Sequence, residues 1–242
     1  MSRPHAVVIT GHAGAIGSAL CRIFRAQGCY VVGVDQRRSA GSADCEIAAD
    51  LSSSPLDDTV AAIRRAVDGK ALRALVNNAA LQVVKPVEAL QPADWNATLA
   101  VNLLAPWYLT RGLLDLLEHG QGSVINIASI HGRLTKPGFT AYATSKAALE
   151  GLTRALAVEL GGRVRVNAVA PAAVDTPLLQ AGFAAGPSGL AALAAMHPAG
   201  RLAEPDDVAH AAAFLASDKA EFITGSVLGL DGGIGARLHD PA

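Results

Sequence analysis

Short apolar runs rich in β-branched residues alternate along this chain with longer segments whose apolar residues recur every three or four positions, and this alternation constrains the fold most. Ala6–Thr10, Tyr30–Val34, Glu46–Ala49, Leu72–Val76, Ser123–Ala128, Arg163–Val169 and Ser226–Leu230 read as strands. Between them, Ala15–Gln27, Pro55–Val67, Ala93–Glu118, Thr140–Gly161 and Pro205–Ala216 have the spacing and length of helices. Strand–helix–strand repetition means parallel strands joined by right-handed crossovers. The expected fold is therefore α/β: a doubly wound, seven-stranded parallel sheet with helices on both faces. Hydrophobic residues make up 51% of the chain but aromatics only 4%, which suits small aliphatic side chains packed between helix and sheet.

No repeat, linker or compositional break divides the sequence, so residues 1–242 read as a single domain. The stretch 177–198 differs in texture, with Gly182, Gly186, Pro187 and Gly189 among alanines, and reads as a lid over a substrate or an irregular helical insertion. The net charge is -1, and no basic run exceeds the doublets Arg37-Arg38 and Arg64-Arg65. Nucleic acid and anionic membrane are thereby disfavoured as partners. Cys21, Cys29 and Cys45 form no CxxC or Cys/His spacing, so neither a metal site nor a disulfide framework is expected. No apolar stretch approaches the roughly 20 residues that span a bilayer. Ala6–Ile9 is too short for the core of a signal peptide, and a cytoplasmic protein is expected.

The first strand runs directly into Thr10-Gly-His-Ala-Gly-Ala-Ile-Gly17, which opens a helix. Glycines at 11, 14 and 17 let the backbone turn tightly and approach a pyrophosphate, whose charge then sits on the unpaired amides of the helix N-terminus. His12 reads as a loop residue rather than a ligand. Strand two ends at Asp35, 18 residues beyond Gly17, near the offset of an acid that accepts the hydroxyls of an adenosine ribose. A carboxylate there repels a 2′-phosphate, so a Rossmann-type site for NAD is expected over NADP. Arg37 and Arg38 are the residues that would argue the other way.

Tyr142 and Lys146 lie four apart in a helical segment and share one face. An ammonium close to a phenol favours the phenolate and so prepares it for proton transfer near neutral pH. Strand five delivers the Ser129 hydroxyl to the carboxyl edge of the sheet, where open parallel sheets bind ligands, beside that tyrosine.

These features, in order, resemble the compact single-domain branch of the short-chain dehydrogenases/reductases. The resemblance is carried by Thr10–Gly17, Asp35, Asp50-Leu51, Asn77-Asn-Ala-Ala80, Asn102, Ser129, Tyr142-Ala-Thr-Ser-Lys146, Asn167-Ala-Val-Ala-Pro171, Asp175-Thr-Pro177, Thr224-Gly-Ser-Val-Leu228 and Asp231-Gly-Gly233. It implies that Tyr142 transfers the proton of the substrate oxygen, that Lys146 lowers its pKa and holds the nicotinamide ribose, and that Ser129 orients the substrate. Asn102 would hold a water linking Lys146 to solvent through a helix carbonyl. Asp50 would meet the adenine, Asn77 would line the cofactor and Thr176 would bind the carboxamide, with Ile16, Leu51, Pro171 and Val174 also on the cofactor side. Ala15, Ala80 and Ala172 stand where this branch usually has glycine. The resemblance also implies a homotetramer, with a dimer as the alternative.

The pocket walls are expected from Leu81-Gln-Val-Val84, Ile130-His131, Leu134, Ala172-Ala173 and Leu178 to Met196, mostly small and apolar. His131 is expected to line the pocket or face solvent. The reading is an NAD-dependent oxidoreductase interconverting a secondary alcohol, a small neutral one or a sugar-like polyol, and its ketone. The alternatives are an NADPH-dependent 3-oxoacyl-thioester reductase and a dinucleotide-binding sensor without catalysis.

Overall fold

The computed structural model describes residues 5–37, 39, 41–182 and 186–238. Seven strands form one sheet: β1 (His5–Thr10), β2 (Tyr30–Asp35), β3 (Cys45–Ala48), β4 (Ala71–Asn77), β5 (Ser123–Ile127), β6 (Arg165–Pro171) and β7 (Val227–Leu230). They lie in the order β3-β2-β1-β4-β5-β6-β7, each pair parallel. The chain winds outward from β1 in one direction and from β4 in the other, so the crevice between these strands opens at the carboxyl edge.

Around the sheet lie α1 (Ala15–Ala26), α2 (Asp57–Ala66), α3 (Pro92–Leu99), α4 (Ala105–Gly112), α5 (Leu114–His119), α6 (Thr140–Leu160), α7 (Pro177–Ala181), α8 (Gly186–Met196) and α9 (Pro205–Ala216). Successive residues of a strand point to opposite faces. Ala6 and Val8 accordingly pack under α2, α4, α5 and the far end of α6, through Ile63, Leu109, Leu117 and Leu160. Val7 and Ile9 pack under α1 and α9, through Leu20, Phe24, Val208 and Ala212. Residues 177–198 hold two helices, α7 and α8, and residues 183–185 lie outside those described.

The structure corrects one long element. Ala93–Glu118 is expected to be continuous, but the chain forms α3, a π-helical turn over Ala100–Leu104, then α4 and α5. Pro106 lacks the N–H that an α-helix would give to the Asn102 carbonyl. The wider turn takes up that break, and it places Asn102 in the interior.

A buried polar chain ties the middle of the sheet to α6. The Asn77 amide donates to Asn126 Oδ1 (2.8 Å), the Asn126 amide donates to Thr153 Oγ1 (2.9 Å), and Thr153 donates to the Leu149 carbonyl (2.8 Å). Replacing Asn126 leaves the Asn77 donor unpaired in the core. Asn126→Ala is expected to lower stability by about 1–3 kcal/mol, and adding Asn77→Ala is expected to cost less than the sum of the two single changes. Urea unfolding of the three variants measures this; full additivity would show that the two amides are uncoupled.

Candidate active site

The two strands that flank the crevice are laced at their ends. Thr10 Oγ1 accepts from the backbone N–H groups of Asn78 and Ala79, both at 3.0 Å. The Asn78 side chain in turn donates to the carbonyls of Thr10 (2.9 Å) and Gly11 (3.0 Å). Gly11 sits in this seam at φ +67°, where a Cβ would come 2.8 Å from the Cα of Ala79. A Cβ on Gly17 would come 2.0 Å from the Gly11 carbonyl oxygen, so the loop can fold back on itself only with glycine there. Gly14 is the extended N-cap of α1 and has ordinary space around it. Ala15 begins the helix.

The residues present fit a dinucleotide. No side chain caps α1 and no acid lies in its first turn, so the backbone N–H groups around Ile16 and the positive end of the helix dipole are left for an anion. Asp35 ends β2 beside the loop, its two oxygens accepting from the backbone N–H groups of Ala13 (3.2 Å) and Arg37 (3.0 Å). Asp50 accepts from the Ser52 N–H (2.8 Å), the Ser52 hydroxyl (2.7 Å) and Gln36 (2.8 Å), and these bonds hold its carboxyl below the usual range. Leu51 next to it is core. Arg38, one of the two arginines that would argue for NADP, lies outside the described residues. Across the crevice, Pro171 ends β6, Val174 is buried and Thr176 caps α7 by accepting from the Leu179 N–H (3.2 Å).

Ser129 follows β5 in extended backbone and is buried. Its Oγ accepts from the His131 N–H at 3.2 Å. Tyr142 and Lys146 lie one turn apart on α6, both buried, with Nζ 5.7 Å from the centre of the phenol ring. Nζ donates to the Ile127 carbonyl at 2.7 Å. Burial pushes Lys146 down to about 8. Burial also pushes Tyr142 up, while a hydrogen bond with Ser129 pulls it back. Desolvation is the larger of these two influences on the phenol.

Asn102 makes three hydrogen bonds that join the segment after β4 to α6. Its Oδ1 accepts from the Leu81 N–H (2.8 Å), and its amide donates to the Leu81 carbonyl (2.9 Å) and to Ser145 Oγ (2.9 Å). Ser145 then donates to the Tyr142 carbonyl (2.7 Å). Asn77 bonds sideways to Asn126 rather than outward. His131 stacks on Phe139, with ring centres 4.4 Å apart, and makes a T-shaped contact with Tyr142 at 5.7 Å. Sequence reasoning missed Ser145 and Phe139, although Phe139 stands three residues before Tyr142, at helical-neighbour spacing. It also missed the Ile127 carbonyl, a backbone group that no side-chain motif announces.

Among the described residues no three metal-binding side chains gather, and no helix is long and apolar enough to cross a membrane. A family model described as enoyl-(acyl carrier protein) reductase matches residues 11–235. The chain is 36% identical to the cis-4-hydroxycyclohexanecarboxylate dehydrogenase of Sinomonas cyclohexanicum, over 93% of this chain and 94% of that protein. It is 32% identical to a 3-oxoacyl-[acyl-carrier-protein] reductase of Thermotoga maritima, over 94% of this chain and 96% of the relative. An uncharacterized short-chain type dehydrogenase/reductase of Sinorhizobium fredii is 37% identical over 94% of this chain, which spans 43% of that longer protein. The aldohexose dehydrogenase of Thermoplasma acidophilum superposes with a TM-score of 0.92 at 29% identity, covering 99% of this chain and 97% of the other. With the glycine seam, the paired Tyr142 and Lys146 and this sheet order, the chain belongs to the short-chain dehydrogenase/reductase family, oxidoreductases that act on CH–OH groups with a nicotinamide dinucleotide.

Proposed function

We propose that this protein interconverts a secondary alcohol and its ketone with NAD, and that Tyr142 is the acid/base. The observation that carries the reading is the convergence of Ser129, Tyr142 and Lys146 at the carboxyl edge of the sheet, beside the glycine seam. The dinucleotide, when bound, takes hydride from the carbinol carbon or returns it. Ser129 orients the substrate oxygen, and Tyr142 takes its proton in oxidation and returns it in reduction. Lys146 supplies the positive charge that makes the phenolate affordable, and Asn102 fixes α6 by its bonds to Leu81 and Ser145. Gly11, Gly14, Ile16 and Gly17 hold the pyrophosphate, Asp35 and Asp50 with Leu51 the adenosine, and Asn77, Pro171, Val174 and Thr176 the nicotinamide end.

As base the phenol must be ionised, and as acid it must be protonated. Oxidation is therefore expected to fall as pH drops through the apparent pKa of the Tyr142–Lys146 pair, and reduction to fall as pH rises through it. Tyr142→Phe is expected to lower kcat by about 10²–10⁴-fold with the fold intact by circular dichroism. An unchanged rate in that variant would remove Tyr142 from the chemistry.

NAD is preferred in this reading because Asp35 is anchored at the ribose end and Asp50 stands close by through Gln36. Initial rates with both cofactors test it. Asp35→Ser is expected to raise the NADP to NAD ratio of kcat/KM at least about tenfold, and a wild-type enzyme faster with NADP would reverse the cofactor assignment. The similarity to an acyl-carrier-protein reductase keeps the thioester reaction in view, and NADPH-dependent turnover of a 3-oxoacyl thioester in place of any alcohol would select it. NAD binding without turnover of any alcohol or ketone would select the sensor.

We also read the protein as a cytoplasmic homotetramer. Support comes from the exposed Leu104, Trp107 and Val158 on the Ala100–Gly112 segment and α6, apolar side chains that a second copy would cover. Light scattering at micromolar concentration is expected to give four times the mass of the chain; a monomer there would rule this out.

A further inference from the structure

The wall beside the Tyr142 phenol is aromatic, and Lys136 stands at its outer side. His131 and Phe139 stack nearly parallel, with 9° between their planes, and each stands at 74° to the Tyr142 ring, at 5.7 and 6.2 Å between centres. The Lys136 ammonium stands over Phe139, 4.9 Å from the ring centre. Thr135 Oγ1 lies 3.0 Å from His131 Nδ1 and fixes the imidazole. Burial, and after it the neighbouring Lys136, keeps that imidazole below its ordinary pKa, so the shelf is neutral and the lysine is its charge.

The charges around this lysine leave it uncommitted. It joins none of the ion pairs among the described residues. Lys85, by contrast, is taken by Asp94 at 2.8 Å. The acid that α6 offers to this turn, Glu150, lies behind it against Gly132, buried and held above the usual carboxylate range by desolvation. Arg133, on the same turn, reaches toward Gly229 and Asp231. A hydrocarbon frame that starts at Tyr142, beside Lys146, and runs along these rings therefore reaches a second ammonium, Lys136, which no carboxylate pairs among the described residues.

We propose that the substrate is a hydroxy acid: a secondary alcohol whose carbinol oxygen lies at Ser129 and Tyr142, whose ring or chain lies along His131 and Phe139, and whose carboxylate is held by Lys136. This rests on the dehydrogenase reading above and replaces the neutral alcohol that the sequence alone suggests. In the reaction the carbinol carbon loses hydride to NAD and the hydroxyl loses its proton to Tyr142, giving the oxo acid and NADH. The carboxylate takes no part in the bond changes. Its binding tells an acid from its ester, since loss of the negative charge leaves Lys136 with nothing to hold.

The test uses 4-hydroxycyclohexanecarboxylate, its methyl ester and cyclohexanol, assayed by NADH absorbance with the wild type, Lys136→Met, Lys136→Arg and Lys136→Glu. Wild type is expected to favour the acid over the ester at least about tenfold in kcat/KM, chiefly through KM. Lys136→Met is expected to bring that ratio near one, Lys136→Arg to keep most of it and Lys136→Glu to invert it. Added salt is expected to raise KM for the acid and not for the ester. Equal use of acid and ester by the wild type, or a ratio unmoved in Lys136→Met, overturns the hydroxy-acid proposal while turnover of any alcohol leaves the dehydrogenase reading standing. If the protein binds NAD but turns over no alcohol at all, both fall together.

Discussion

Helix α6 carries two of the groups proposed to react, and its seat on the sheet is set by buried hydrogen bonds, which have direction, as much as by apolar contact, which has none. Asn126 holds it at Thr153, Asn102 holds it at Ser145, and the Ile127 carbonyl receives Lys146. Apolar packing alone would tolerate a slide or a rotation of the helix. Three bonds at three heights along the helix do not, because each would strand a buried polar atom. The Tyr142 carbonyl is itself engaged by Ser145, so the register reaches the reacting residue.

That seat is useful only because the sheet brings other groups to the same edge. Parallel strands all deliver their carboxyl ends to one side, and the reversal of order between β1 and β4 leaves the crevice there without a crossing helix. Thr10 and Asn78 lace the crevice, and Gly11 and Gly17 let the loop lie within van der Waals reach of that seam. Asn102 then links the far lip, at Leu81, to α6. One polar framework thus runs from the glycine loop to the helix that bears Tyr142.

Sheet class and strand count were legible because period-two runs alternating with period-three-to-four runs leave little else to build. The break at Ala100–Leu104 was not, since the apolar pattern continues through it and only Pro106 gives a sign. Asp35, Tyr142, Lys146 and Ser129 were legible as side chains with chemistry at the ends of elements. Backbone partners such as the Ile127 carbonyl carry no residue signature, and they decide what a buried lysine can do. Asn77 shows a second kind of gap: its motif gives no sign that its amide also ties β4 to β5 through Asn126. Lys136 was passed over because it falls in a loop whose path depends on the His131–Phe139 stack, a contact between residues that share no period.

Burial moves Tyr142 and Lys146 in opposite directions, the phenol upward and the ammonium down to about 8, and both shifts favour the uncharged forms. Viewed singly, each opposes a phenolate working beside an ammonium. As a pair they behave differently. With the phenol neutral, the site contains one isolated cation, eased by a single carbonyl. When the phenol loses its proton while the lysine keeps its own, that cation gains an anion one turn away, and an ion pair in a site of low polarity is less costly than two separate charges. In the proposed reaction, proton loss from Tyr142 is thus favoured by a charged Lys146, and retention of the Lys146 proton by an ionised Tyr142. The same burial that raises the phenol's own pKa strengthens its coupling to the lysine, since both effects grow as water is excluded.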